Sequence, residues 1–205
     1  AEFIDVVTQS LTNLGLDHVD LLAVHGINNE ELLEQALRAD GTLGALRQLQ
    51  REGRCRFIGF STHGPTPVIC RAIETGEFDY VNLHWYFVND FTWPAVEAAS
   101  RQDMGVFIIS PNEKGGMLFA PSEKLRKLCD PLSPMVFNDL YCLSRDQVHT
   151  LSLGVDCPEN FDEHIAALAQ YDERKEASAP VADRLREELR NVLGEEWCAH
   201  WHEGI

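Results

Sequence analysis

Apolar residues recur along this chain in two alternating periods. Ile4, Val7, Leu11 and Leu14 fall three or four apart, the spacing of one helical face, and Gly15 follows as a stop. The next run, His18-Val19-Asp20-Leu21-Leu22-Ala23-Val24-His25-Gly26, is apolar without alternation, which predicts a strand buried on both faces of a parallel sheet. A polar loop at Gly26 to Asn29 leads to a short helical segment around Leu32, Leu33, Ala36 and Leu37. Asp40-Gly41-Thr42 then signals a helix start, with Leu43, Leu46 and Leu49 as its inward stripe and Gly53 as its stop.

The same exchange of strand for helix repeats down the chain. Arg56-Phe57-Ile58-Gly59-Phe60-Ser61 reads as the second strand, running into Thr62-His63-Gly64. Thr66 and Pro67 read as N-cap and first helical residue, with Ile69, Ala72 and Ile73 inward and Gly76 closing the helix. Tyr80 to His84 is the third strand, followed by the aromatic loop Trp85-Tyr86-Phe87; Thr92 and Pro94 open a helix that ends at Met104-Gly105. Val106 to Ile109 is the fourth strand and leads into Ser110-Pro111-Asn112-Glu113-Lys114-Gly115-Gly116, rich in turn residues. Pro131-Leu132-Ser133-Pro134 separates two helices before the fifth strand, Thr150 to Leu153, which ends at Gly154. The helix after Pro158 is predicted to bury Phe161, Ile165 and Leu168. Tyr171 to Glu176 is hydrophilic, a linker or a helix end, and Pro180 is read as opening an amphipathic helix with Val181, Leu185, Leu189 and Val192 on one face.

Five strands alternating with helices predict an α/β fold with a parallel sheet. Every loop after a strand is polar or glycine-rich, whereas the loops after helices are short. That asymmetry gathers function at the C-terminal ends of the strands. His25 stands at such a tip, where a histidine is either a hydrogen-bonded structural residue or a chemical group.

Composition narrows the choice of partner. The chain has 205 residues, 44% hydrophobic and 24% charged, enough for a real core, and carries a formal charge of −16 that repels nucleic acid and anionic membranes. No apolar run approaches the roughly 20 residues of a membrane span, and the basic-then-apolar start of a signal peptide is missing, so the expected location is cytoplasmic. Cys55, Cys70, Cys129, Cys142, Cys157 and Cys198 form no C-x-x-C pair; reduced, mostly buried thiols are expected, and no metal site. Trp197-Cys198-Ala199-His200-Trp201-His202 lacks a partner cluster for a metal, and packing of its two tryptophans is the simpler reading. No glycine fingerprint of a Rossmann unit and no P-loop follows any strand.

Leu14-Gly15-Leu16-Asp17-His18-Val19-Asp20-Leu21-Leu22-Ala23-Val24-His25-Gly26 resembles the fourth strand of the aldo-keto reductases, and Leu49-Gln50-Arg51-Glu52-Gly53-Arg54-Cys55-Arg56-Phe57-Ile58-Gly59-Phe60-Ser61 resembles their fifth. The resemblance covers most of residues 1–170, leaving 171–205 as a C-terminal helical extension. It implies a (β/α)8 TIM barrel, present here only from strand 4 to strand 8. It also implies extended binding of NADP(H) and reduction of a small aldehyde or ketone. In that family a tyrosine tuned by a lysine and an aspartate donates the proton, and a histidine orients the carbonyl oxygen. His25 matches that histidine. Ser61 and Thr62 match the positions that bind the nicotinamide carboxamide, with Thr62 standing where asparagine is usual, and Asn82 stands where a glutamine makes the same contact. Ile109 replaces a stacking aromatic ring, and Ser110 matches a pyrophosphate-contacting serine. Gly154, Asn160 and Glu163 match residues at the adenine end, where His164 replaces an asparagine. Each of these has a plain alternative as a satisfied polar loop residue. The Lys114 loop resembles the family's strand-seven loop, which sets a cation near phosphates, or is a surface lysine.

The first three strands, with the aspartate, tyrosine and lysine, have no counterpart here, so the chain is expected to be the C-terminal two-thirds of a longer protein and inactive alone. The end of the chain resembles a subgroup with an iron–sulfur region nearby, although Cys198 alone holds no cluster. Two alternatives stay open: a non-catalytic NADP-binding barrel acting as sensor or subunit, and a degenerate partial barrel whose open edge a partner or oligomer covers. Substrate identity, NADPH against NADH, and oligomeric state stay open too.

Overall fold

The computed structural model describes residues 2–112 and 117–203. Helices and parallel strands alternate from α1 (Glu2–Leu14) and β1 (Val19–Val24) through α2 (Glu30–Leu37), α3 (Thr42–Arg51), β2 (Cys55–Ser61), α4 (Thr66–Glu74), β3 (Tyr80–Leu83), α5 (Trp93–Arg101) and β4 (Gly105–Ile109). Then come α6 (Glu123–Cys129), α7 (Pro134–Leu143), β5 (Thr150–Ser152), α8 (Phe161–Leu168), α9 (Arg174–Leu193) and α10 (Glu195–His200). The sheet order is β1-β2-β3-β4-β5, the sequence order, as five successive βα units of an incomplete barrel require. Two compact units divide the chain: one of Ala1–Leu83 with Thr92–Val106, the other of His84–Phe91 with Phe107–Ile205.

In the first unit strand parity assigns the residues to two faces. Ile58, Phe60, Val81 and Leu83 are fully buried, together with Leu46 and Leu49 from the inward stripe of α3. The opposite face carries Leu21 beside Phe57 in register, 41% and 42% exposed, and Gly59 beside Tyr80. Arg56 lies over the Phe57 ring and pairs with Asp20 at 2.7 Å. β1 therefore departs from the doubly buried strand its sequence predicts: of its residues only Val24 is buried. Among the described residues it is the edge strand of the sheet, with a neighbour on one flank only, and a run of leucines reports strand propensity without reporting what covers the strand.

In the second unit β4 and β5 pair in parallel through Phe107, Ile108 and Ile109. α7 is buried along nearly its whole length, opened by Ser133, whose Oγ accepts from Val136 N, and by Pro134 in the first turn. Two expectations are corrected here. α8 buries His164 and Ala167 and leaves Phe161, Ile165 and Leu168 43–63% exposed, because the His164 side chain takes a buried partner on α7. α9 begins at Arg174, six residues ahead of Pro180, so the hydrophilic stretch is partly its first turn. The ring of Pro180 removes one amide donor without ending the helix, which Arg174 anchors through its Nε bond to Leu143 O. At α4 the cap is Pro65, and Thr66 is the first helical residue.

No helix among the described residues is long and apolar enough to cross a membrane, and no cluster of three or more His, Cys, Asp or Glu side chains is placed to hold a metal ion. All six cysteines are free. Trp197 and Trp201 stack with ring centroids 5.9 Å apart.

Candidate functional site

The tips of β1 and β2 are tied together just past the strands. Gly26 N donates to Ser61 O at 3.0 Å and to Ser61 Oγ at 3.1 Å, and Ile27 N donates to the same carbonyl at 3.0 Å. The turn that makes this possible needs φ +80° at residue 26, which glycine adopts without a Cβ clash. His25 is left exposed at the tip, with Nδ1 2.9 Å from Ser61 Oγ. Because the Gly26 amide already donates to that oxygen, the hydroxyl's single proton is best spent on His25 Nδ1. The imidazole proton then sits on Nε2, an assignment made from the bonding pattern. A neutral ring held this way presents one N–H donor to solvent.

Strand parity sorts the remaining residues. Leu21, Ala23 and His25 alternate onto the same face as Phe57, Gly59 and Ser61, and the register Ser61↔Asn82 brings Asn82 onto it as well. Asn82 is half-buried, and its amide makes no hydrogen bond among the described residues, leaving a donor and an acceptor side by side. Thr62, one residue on, has the opposite parity. It is 1% exposed, its Oγ1 donates to Ile27 O at 2.6 Å and accepts from Gly64 N at 2.9 Å, and its amide donates to Asn82 O at 3.0 Å. Its hydroxyl is consumed in holding the loop. Asn28 Oδ1 accepts from His63 N at 2.8 Å, and a Cβ on Gly64 would stand 2.7 Å from Asn28 O, so the two loops approach too closely for any other residue. Of the residues expected from the sequence, this unit thus brings His25, Ser61 and Asn82 together and turns Thr62 away.

Within the second unit the remaining residues lie on β4, β5 and their loops. Ser110 follows β4 directly in the left-handed region, at φ +56°, and Ile109 is half-buried at the strand's end. Gly154 is exposed, and its carbonyl accepts from Asn112 Nδ2 at 2.6 Å. Asn160 Oδ1 accepts from Asp156 N at 3.1 Å, and Glu163 is exposed in the first turn of α8. His164 faces inward, 4% exposed, with Nδ1 2.5 Å from Asp139 Oδ2, itself buried. Burial pushes the Asp139 carboxyl up from its ordinary value, against the downward pull of His164. Lys114 lies outside the described residues.

Three residues that the sequence reading did not single out hold these loops. Asn138 on α7 accepts from Phe87 N at 3.2 Å and donates to Pro111 O, joining the loop after β3 to the loop after β4. Asn112 joins the latter to Gly154 after β5. Asp139 fixes His164. The available signal was the polar pair Asn138-Asp139 inside the otherwise apolar run Pro134 to Leu143, since a buried amide or carboxylate requires partners.

The family model for the aldo/keto reductase family matches residues 1–175. Among solved structures, an aldo-keto reductase from Bacillus halodurans in its holo form is similar at 18% identity and TM-score 0.68, over 87% of this chain and 63% of that one. A glycerol dehydrogenase from Gluconobacter oxydans is similar at 16% identity and TM-score 0.69, over 93% of this chain and 64% of that one. An aldose reductase from Giardia lamblia is similar at 15% identity and TM-score 0.61, over 89% and 67%. The chain thus spans 63% of the first of these relatives. No curated protein sequence matches it. At these identities the structures speak for the fold, an incomplete version of their barrel; the match over residues 1–175 goes further, and by it the protein belongs to the aldo/keto reductase family.

Proposed function

We propose that the protein is the part of an NADP(H)-dependent oxidoreductase that orients a small aldehyde or ketone for reduction to an alcohol, working in the cytoplasm. The observation that carries this reading is the exposed His25 imidazole whose Nδ1 is engaged by Ser61, so that Nε2 offers a proton at the strand tip. A neutral N–H aimed at a carbonyl oxygen stabilises the charge that develops there as the carbon is reduced. A nicotinamide cofactor, when bound, supplies the hydride. The residues present fit its carboxamide at one point: the Asn82 amide shares a face with Ser61 and is unspent among the described residues. The phosphates and adenine would meet Ser110, Gly154, Asn160 and Glu163. In the first unit Thr62 spends its hydroxyl on Ile27 O and Gly64 N, and in the second His164 spends Nδ1 on Asp139 while its Nε2 is buried, so neither side chain is given a cofactor contact. The proton donor is not assigned to this chain.

The engagement of Thr62 Oγ1 and His164 Nδ1 within the chain also favours a second reading, a non-catalytic barrel that binds NADP as a sensor or as a subunit of a larger assembly. One pair of measurements separates the two: NADPH titration by tryptophan fluorescence, and turnover of small aldehydes, on this chain and on the full product of its gene. For the carbonyl-reductase reading, the full product binds and turns over, and His25→Ala lowers kcat/KM by about 10²–10³ while leaving the NADPH Kd unchanged. Binding without turnover supports the sensor. Turnover that His25→Ala leaves intact refutes the role given to His25.

A further inference from the structure

α9 carries two stripes offset by one residue. Leu185, Leu189 and Val192 recur at the helical spacing, and Arg186 and Arg190 lie four apart beside them. In the second unit each stripe walls a cavity. The apolar one, about 300 Å³, lies among α6, α7 and α9, lined by Leu125, Leu128, Phe137, Leu185 and Val192, with the Lys124–Glu188 ion pair (2.5 Å) also at its wall. The other, about 650 Å³, is lined by Arg186, Arg190 and the stacked Trp197–Trp201 pair. Phe87, Val88 and Leu189 belong to both walls, so the two spaces meet across those side chains.

The larger cavity is lined by two arginines, Arg186 and Arg190, and by two acidic residues, Asp90 and Glu195. Arg186 is held by Tyr141, with Nη2 3.2 Å from the phenol oxygen, and lies over the Phe87 ring at 5.5 Å; its nearest carboxylate, Asp183, is 3.7 Å away and 81% exposed. Arg190 makes no ion pair among the described residues, although Asp90 and Glu195 line the same cavity. Arg190, exposed and without an ion pair among the described residues, stands beside this apolar space and presents a head site next to a tail site, with Arg186 close by.

We infer that these adjoining cavities bind one monomeric amphiphilic carboxylate, its apolar chain among α6, α7 and α9 and its carboxylate on Arg190 and Arg186. At roughly 30 Å³ for a methylene-sized group, the volume of a water in the liquid, the apolar cavity takes a chain of roughly ten carbons. The inference does not depend on carbonyl reduction, because the cavities lie wholly in the second unit and the test reads binding alone.

Isothermal titration with decanoate, decanol and decylammonium, which share a tail and differ in the head, decides it. Decanoate is expected to bind one site at least about tenfold more tightly than decanol, a difference of about 1.4 kcal/mol, and decylammonium more weakly than either. Arg190→Gln removes the preference for decanoate and keeps decanol binding. Leu189→Asp is expected to weaken both; at 37% exposure the fold should tolerate it, with an unchanged circular-dichroism spectrum as the check. Equal affinity for the three heads, a decanoate preference that survives Arg190→Gln, or no saturable binding of any of them overturns the inference.

Discussion

Asn138→Leu tests whether the loops after the strands are held by one buried amide. The side chain is 5% exposed and meets two backbone groups, Phe87 N and Pro111 O, that have no other route to a partner if it becomes apolar. Leaving a buried donor or acceptor unsatisfied costs about 1–3 kcal/mol each, so the substitution is expected to cost about 2–6 kcal/mol against a total stability of about 5–15 kcal/mol. With a urea dependence of about 1–3 kcal/mol per molar, the midpoint falls by about 2 M at the middle of those ranges. Trp85, stacked on Tyr141 with centroids 5.3 Å apart on the same helix-and-loop assembly, reports the transition by fluorescence. Leu140→Ala, two residues along α7 and fully buried, supplies the scale for simple cavity formation at about 2–5 kcal/mol. Asn138→Asp sharpens the argument, because its protonated carboxyl can donate to Pro111 O as the amide does and its carboxylate cannot. Burial raises that carboxyl's pKa, so the stability it contributes is present at low pH and is lost as pH rises through the raised value. An Asn138→Leu variant within about 0.5 kcal/mol of the parent would refute the reasoning, since a surface-like change has that size.

Gly59→Ala places a Cβ 2.5 Å from the Tyr80 ring and is expected to cost about 1–3 kcal/mol; the additional change Tyr80→Ala should relieve much of that overpacking, and strict additivity in the double-mutant cycle would show that the two do not touch. Burial, with Cys55 and Asp79 nearby, pushes the Tyr80 phenol up to about 12, so the ultraviolet difference between the parent and Tyr80→Phe should titrate near there; a difference titrating at the ordinary value of 10.0 contradicts the burial. Asp139 has a raised carboxyl pKa, so the folded chain holds that proton more firmly than the unfolded chain. Its contribution is present below the ordinary value of 3.8 and is lost as pH rises through the raised one. The stability of the parent relative to Asp139→Asn should therefore fall with rising pH, measured by urea unfolding, and a flat or rising difference would count against it.

Residue pattern alone determined most of the element order. The leucine stripe of α3, the caps at Ser133 and Pro134, and the alternation of five strands with helices all follow from local chemistry, because periodicity and capping act within a few residues of chain. The candidate site was legible where it lies on strand tips: His25, Ser61 and Asn82 share a face by a parity that can be counted along each strand. Tertiary structure decided the rest. The exposure of β1 depends on its place at the sheet edge, which no property of its leucines encodes. The face that α8 buries is set by Asp139, 25 residues away, drawing His164 inward against the apolar pull of Phe161, Ile165 and Leu168. The inward engagement of Thr62, and the joining of three loops through Asn138 and Asn112, likewise rest on bonds between residues 27 to 51 positions apart. A sequence pattern fixes which way a side chain points along its own element, but a buried polar group is satisfied only by whatever the fold brings to it.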